Sequence, residues 1–211
     1  MFLIYNYYNL SFNFSKLEIK LENPVKIGEG WRGEVYCGFL EGKKVAIKVA
    51  KRKEAEEAIR KEARILEFLK GLEGVPKLVY KGKDFFIYEF VEGMPFGKVD
   101  WTREELKKIF LKLVDICYKL DKMGVSQGEM HNIEKNVVVN KKDMGIEVHI
   151  LDFDRGCFSK KPRNIPQLLQ VLRRYSFIST GEAIEKGKSY IKNPEKVISD
   201  LKYLIEHDKK L

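Results

Sequence analysis

The chain has 211 residues, 44 % of them apolar and 34 % charged, a length and balance that suit one large domain or two small lobes with a real core and exclude wholesale disorder. Forty Lys and Arg against thirty-one Asp and Glu leave a formal charge of +9, which favours an acidic or phosphorylated partner over a basic one, although a mixed solvated surface accounts for most of these charges. Cys37, Cys117 and Cys157 are widely spaced and form no CxxC pair, so neither a disulfide framework nor a zinc site follows from them, and a reducing cytoplasm suits them best.

The first fifteen residues carry no side-chain charge, but a basic leader and a small-residue cleavage site are both missing, and Asn6, Asn9 and Asn13 interrupt the apolar run. A span needs about 20 mainly apolar residues, so residues 1–23 are read as an extension carrying a strand or hairpin. Leu17, Ile19 and Leu21 alternate at the period of a half-buried strand. Strands are expected at Val25–Ile27, Glu34–Leu40 and Lys43–Ala50, the last two joined by the tight Glu41-Gly42 turn. From Glu54 to Leu69 the period changes to helical, with Ala55, Ala58, Ile59, Ile65, Leu66 and Leu69 separated by charges. Lys77–Tyr80 and Asp84–Val91 read as further strands, the second buried.

A polar stretch at Gly93–Asp100 separates this strand-rich front from a helical back, giving expected units at 24–92 and 93–211. Thr102 and Glu105 form a capping-box pattern that opens a helix running to about Met123. Short strands follow at Val137–Asn140 and Ile146–Leu151, then helices at Ile165–Phe177 and Glu195–His207, with Asn193 as cap and Pro194 in the first turn.

Gly28, Gly30 and Gly33 form a GxGxxG pattern between two expected strands. Glycines let a backbone approach a polyphosphate and offer it free N–H groups. A dinucleotide fold needs a helix directly after such glycines; here the chain continues as strand, which points to a kinase-type glycine loop. On the next strand Lys48 ends Val45-Ala-Ile-Lys. A lysine there either reaches solvent or meets a negative partner, since burying an unpaired ammonium is costly. Glu62, at the edge of the apolar helix face, is the preferred partner, and Glu57 is the competitor.

With these elements in order the sequence resembles the protein-kinase-like superfamily, in a small atypical branch near RIO-type and lipopolysaccharide (Kdo) kinases. The resemblance implies an α+β, two-lobed fold: an antiparallel-sheet N-lobe with one helix and a reduced helical C-lobe. It makes Tyr88 a gatekeeper, turns the backbones of Glu89 and Val91 to adenine, and places Val35 and Ala46 on the pocket roof. Gln127-Gly128-Glu129 stands where relatives carry His-Gly-Asp or His-Arg-Asp, so Glu129 takes the role of the acid that orients or deprotonates the acceptor hydroxyl. Asn136 and Asp152, the latter in Leu151-Asp-Phe-Asp154, are implied magnesium ligands.

Two departures stand out. Glu replaces Asp, and the Glu129-to-Asn136 loop is two residues longer than the usual motif, so His131 competes as base. Asp154 stands in place of glycine, where it either helps with metal or, the preferred reading, pairs with the adjacent Arg155, and Gly128 removes the arginine on which phosphate-driven switching depends. The leading expectation is an ATP- and Mg²⁺-dependent Ser/Thr protein kinase; the alternatives are a nucleotide-binding pseudokinase or scaffold and a small-molecule kinase acting on a sugar or lipid-linked glycan. Lys160, Lys161, Arg163, Arg173 and Arg174 flank the expected acceptor side; a protein acceptor is expected, a small-molecule acceptor remains open, and no claim for nucleic acid or oligomeric state follows.

Overall fold

The computed structural model describes residues 12–14, 17–19, 21–143 and 145–208. The N-terminal strand reading for residues 1–11 lies outside them; next to it β1 (Phe12–Phe14) and β2 (Leu17–Ile19) pair antiparallel. The described residues divide into two compact units, one formed by residues up to Lys70 with Pro76–Phe90, the other by Gly71–Val75 with the chain from Val91 onward.

The first unit is built on β3 (Glu22–Glu29), β4 (Gly33–Leu40), β5 (Lys43–Ala50), β6 (Leu78–Lys81) and β7 (Phe85–Glu89), in an antiparallel sheet ordered β3-β4-β5-β7-β6. At the centre of β5 four consecutive residues, Val45 to Lys48, are buried. Strand side chains alternate between faces, so this run buries both sides of the sheet. Val45 and Ile47 join Leu21, Phe85 and Ile87 in one apolar cluster, while Ala46 and Lys48 take the opposite face. A 3₁₀ turn at Lys53–Ala55 leads into α1 (Glu56–Phe68). The buried residues of α1 include Ile59, Glu62, Ala63 and Leu66, an i, i+3, i+4, i+7 stripe in which one position is a carboxylate.

In the second unit β8 (Met94–Pro95) and a 3₁₀ turn at Phe96–Lys98 precede α2 (Arg103–Lys122). The Thr102–Glu105 capping box forms in both directions. Then come β9 (Val125–Ser126), the single-turn α3 (Ile133–Asn136), β10 (Val137–Lys142), β11 (Gly145–Ile150), β12 (Cys157–Phe158), α4 (Asn164–Arg174), α5 (Thr180–Tyr190) and α6 (Pro194–Glu206). β10 lies between β11 and β8, and β9 pairs with β12.

One expectation needs correction here, and the structure adds a helix. The stretch at Gly93–Asp100 is no plain polar connector: Phe96, 2 % exposed, sits against Trp101, Phe110 and Tyr175 with ring centroids 5.7–6.4 Å away. One buried aromatic fixes a segment whose other residues look like loop. The helix α5 was not foreseen; its Ser179–Glu182 capping box is complete, but Ala183 is its one buried residue and the apolar periodicity is correspondingly weak. Asn193 occupies the N-cap position of α6 without a side-chain cap bond, and Pro194 begins the helix. No helix among the described residues is long and apolar enough to cross a membrane.

Candidate functional site

In the first unit the glycine turn joins β3 to β4 and is closed by Gly30 N–H donating to the Gly33 carbonyl at 2.8 Å. The three glycines are not equivalent. A Cβ at Gly33 would lie 2.8 Å from the Val49 carbonyl oxygen and 3.2 Å from Ile59 Cδ1, so packing requires glycine there. At Gly28 and Gly30 a Cβ would meet nothing closer than 3.6 Å and 3.8 Å, so packing within the chain requires glycine at neither. The turn is charged: Lys26 bonds Glu29 and Glu34 at 2.7 Å each, and Lys51 also reaches Glu29. Hydrogen bonds from Lys26 and then Lys51 hold the Glu29 carboxyl down at about 2.

The registers of β4, β5 and β7 set Val35 opposite Lys48 and Lys48 opposite Phe86, with Cys37, Ala46 and Tyr88 forming the next row. Facing residues share a side of the sheet, so Val35, Ala46, Lys48 and Tyr88 lie on one face. Lys48, 9 % exposed, donates from Nζ to Glu62 Oε2 at 2.7 Å, and Glu62 is 3 % exposed. The competitor Glu57 is solvent-facing and bonds Arg60 and Arg64 instead. Glu89 follows Tyr88 at the end of β7, and its N–H is bonded to the Lys77 carbonyl at 2.9 Å. Val91 is the first residue beyond the first unit.

In the second unit the candidate residues converge on Gln127, which is fully buried. Its Nε2 donates to the Asp152 carbonyl at 2.7 Å and the Leu151 carbonyl at 3.2 Å, and its Oε1 accepts the Glu129 N–H at 2.8 Å. One amide thus ties the Glu129 segment to the Asp152 segment. Gly128 between them has φ +99°, and a Cβ there would lie 2.6 Å from the Arg155 carbonyl oxygen; glycine is demanded by backbone and neighbour alike.

The long loop is accommodated by coiling. Asn132 N–H bonds the Glu129 carbonyl at 2.9 Å, Asn136 N–H bonds the Asn132 carbonyl at 3.1 Å, and Asn136 Nδ2 returns to the Glu129 carbonyl at 3.3 Å. Asn136 is 1 % exposed, and its Oδ1 accepts no hydrogen bond among the described residues. Its carbonyl accepts the Leu151 N–H at 2.7 Å, which places Asn136 beside the residue preceding Asp152. Asp152 itself has φ +57°, in the left-handed region that Asp enters more readily than most non-glycine residues.

His131 turns elsewhere: its ring Nδ1 lies 3.2 Å from Gln167 Oε1 on α4. Arg155 pairs with Glu129 at 3.3 Å, a contact across the loop. Among the described residues no cluster of three His, Cys, Asp or Glu side chains could by itself hold a metal.

The sequence did not reveal the support under Gln127. Its N–H donates to Asn164 Oδ1 at 2.9 Å, and Asn164 Nδ2 donates to Asp121 Oδ1 at 2.6 Å and to the Val125 carbonyl at 2.7 Å. Asp121 also accepts from the N–H groups of Asn164 and Ile165 and from Tyr190 Oη, at 3.0, 3.1 and 2.9 Å. Burial raises the Asp121 carboxyl above its ordinary value in spite of these donors, and burial beside Asp121 pushes the Tyr190 phenol up. The available signal was an Asn immediately before an expected helix, a residue type that caps more often than it packs.

No family profile matches the chain and no curated protein matches its sequence. Solved structures do match. The Rio2 kinase of Chaetomium thermophilum, solved as an ADP/Mg²⁺-phosphoaspartate complex, superposes with a TM-score of 0.62 at 15 % identity, covering 88 % of this chain and 71 % of that one. A second structure, described as a kinase domain, gives a TM-score of 0.54 at 17 % identity over 74 % of this chain and 62 % of that one. The chain therefore has a protein-kinase-like fold, an antiparallel-sheet unit with one helix followed by a helical unit.

Proposed function

We propose that this protein is an ATP- and Mg²⁺-dependent phosphotransferase whose acceptor is a serine or threonine hydroxyl of a protein. The observation that carries the reading is the buried Lys48–Glu62 pair at 2.7 Å on the sheet face shared with Val35 and Ala46. Replacing such a pair by apolar residues is often neutral or stabilising, so its presence argues for a ligand. In this reading Lys48 neutralises phosphate oxygens, Glu62 fixes its direction, and the backbone at Gly28–Gly33 lies along the triphosphate. Val35, Ala46, the Glu89 carbonyl and the Val91 N–H hold the adenine.

Asp152 and Asn136 fit a magnesium ion: both offer hard oxygen donors, and Asn136 Oδ1 is a buried acceptor without a hydrogen bond among the described residues. Two protein oxygens are enough, because Mg²⁺ completes its shell with phosphate and water. The ion would supply charge neutralisation on the phosphates. Glu129 receives the hydroxyl proton as the acceptor oxygen bonds to the γ-phosphorus and the bond to the ADP oxygen breaks. The Rio2 relative was solved with ADP and Mg²⁺, which supports the nucleotide and metal assignment by likeness.

A second reading, a nucleotide-binding pseudokinase, draws on the Arg155–Glu129 contact at 3.3 Å, which engages the carboxylate needed as base. Radiolabelled ATP turnover with a panel of protein, peptide and sugar acceptors separates the readings. Transfer to protein hydroxyls, lost in both Lys48→Ala and Asp152→Asn, supports the first. Nucleotide binding without transfer supports the second, and turnover unchanged in both variants refutes the mechanism.

A further inference from the structure

The second unit holds a cavity of about 970 Å³ whose lining includes none of the residues assigned to nucleotide, metal or phosphoryl transfer. Its apolar surface comes from Pro166 and Leu169 on α4, Ala183 and Ile184 on α5, and Ile191 just beyond. Ile184 and Ile191 are exposed, and apolar side chains exposed within a charged rim mark interaction surfaces more than scattered single ones do. That volume is near the upper end of the ~300–1,000 Å³ of ordinary ligand clefts, which gives room for several side chains.

The rim is cationic. Lys122 at the end of α2, Lys160, Lys161 and Arg163 in the segment between β12 and α4, and Lys188 on α5 all line it. Lys122 lies 3.6 Å from Glu195; the other four make no ion pair among the described residues. Elsewhere on this chain lysines such as Lys26, Lys107 and Lys142 are paired with carboxylates at 2.7 Å. Asp121 is the single carboxylate among the lining residues, and its oxygens are taken up by Asn164, Ile165 and Tyr190. An occupant therefore meets positive charge at the rim and aliphatic surface below.

We infer that this cavity is a docking site for an acidic polypeptide segment that inserts aliphatic or aromatic side chains between α4 and α5. Single-stranded RNA fits less well. RNA binding without sequence preference rests on bases stacked on aromatic faces, whereas the floor here is aliphatic and the two aromatic lining residues, Tyr118 and Tyr190, are half-buried. The site needs no nucleotide, so it stands or falls separately from phosphotransfer.

The test is fluorescence anisotropy on the full chain without ATP, using labelled peptides that carry two Leu or Phe residues at varied spacing inside Asp and Glu runs. At least one peptide is expected to bind. The triple variant Lys160→Glu, Lys161→Glu, Arg163→Glu and the single variant Ile184→Asp should each weaken that binding about tenfold or more. All four residues are exposed, and circular dichroism checks that the variants fold. Affinity should fall as ionic strength rises from about 0.05 to 0.5 M, and replacing the peptide's apolar residues with Ser should abolish binding. Failure of every peptide, equal binding of the Ser-substituted peptide, indifference to Ile184→Asp, or tighter binding of labelled poly-U overturns the inference.

Discussion

Separating the two members of the Lys48–Glu62 pair tests why it exists. Both side chains are almost wholly buried and 2.7 Å apart. Lys48→Met leaves the Glu62 carboxylate at 3 % exposure without this partner, and Glu62→Leu does the same to the ammonium. Removing one member of a buried pair costs about 3–5 kcal/mol. For a chain of this length that shifts the melting temperature on the order of 10 °C. The double variant Lys48→Met, Glu62→Leu fills the site with apolar volume on a strand and helix already packed by Ile59, Ala63 and Leu66. Its stability should lie within about 1 kcal/mol of the parent or above it. Urea unfolding followed by circular dichroism gives the four corners of the cycle, and a coupling of about 3 kcal/mol or more is expected. ATP binding, read by isothermal titration, should be lost in all three variants, including the stable one. Additive single and double effects would refute the coupling, and tight ATP binding by the stable double variant would refute the ligand role of the pair.

Other outcomes follow from the same geometry. Gly33→Ala should destabilise the first unit by about 1–3 kcal/mol through overpacking against Val49 and Ile59, whereas Gly28→Ala and Gly30→Ala should melt like the parent but bind ATP about tenfold more weakly; thermal melts with and without nucleotide distinguish them. Gly128→Ala combines a φ of +99° with a 2.6 Å approach to the Arg155 carbonyl and should cost at least about 2 kcal/mol in urea unfolding. Asp121→Asn leaves too few acceptor lone pairs for four donors and should cost about 1–3 kcal/mol near neutral pH. Because the folded-state carboxyl value of Asp121 is raised, its contribution is complete below the ordinary 3.8 and is lost as pH rises through the raised value. The parent's advantage over Asp121→Asn should therefore grow as the pH is lowered and level off below that range; urea midpoints across pH measure it, and a gap that shrinks on acidification contradicts the sign.

Residues whose local pattern fixes their placement were legible in the sequence. Glu62 sits on an apolar helical stripe, so spacing alone turns it toward the sheet, and the alternation of β5 sends Ala46 and Lys48 to one face while Val45 and Ile47 take the other. The capping box at Thr102 located α2 because the helix that follows it is strongly periodic. The same signal at Ser179 was present but led into GEAIEKGKSY, where two glycines and a single buried alanine hide the helix. Phe96 was obscured by the polar residues around it. The Gln127–Asn164–Asp121 support was out of reach for a different reason. Its bonds join residues 37 and 43 positions apart, and a buried Asn or Asp looks, residue by residue, like one at a solvated helix end. The two extra residues in the catalytic-type loop likewise read as a defect until coiling brings Asn136 back to the Glu129 carbonyl.

A crystal structure with a non-hydrolysable ATP analogue and Mg²⁺ gives the most direct answer. The β- and γ-phosphates are expected within hydrogen-bond reach of Lys48 Nζ and the Gly28–Gly33 backbone, with the ion bound by Asp152 and Asn136 Oδ1 and Glu129, not His131, nearest the γ-phosphorus. A triphosphate bound elsewhere, or an ion that ignores Asn136 and Asp152, would contradict the assignment of these residues to phosphoryl transfer.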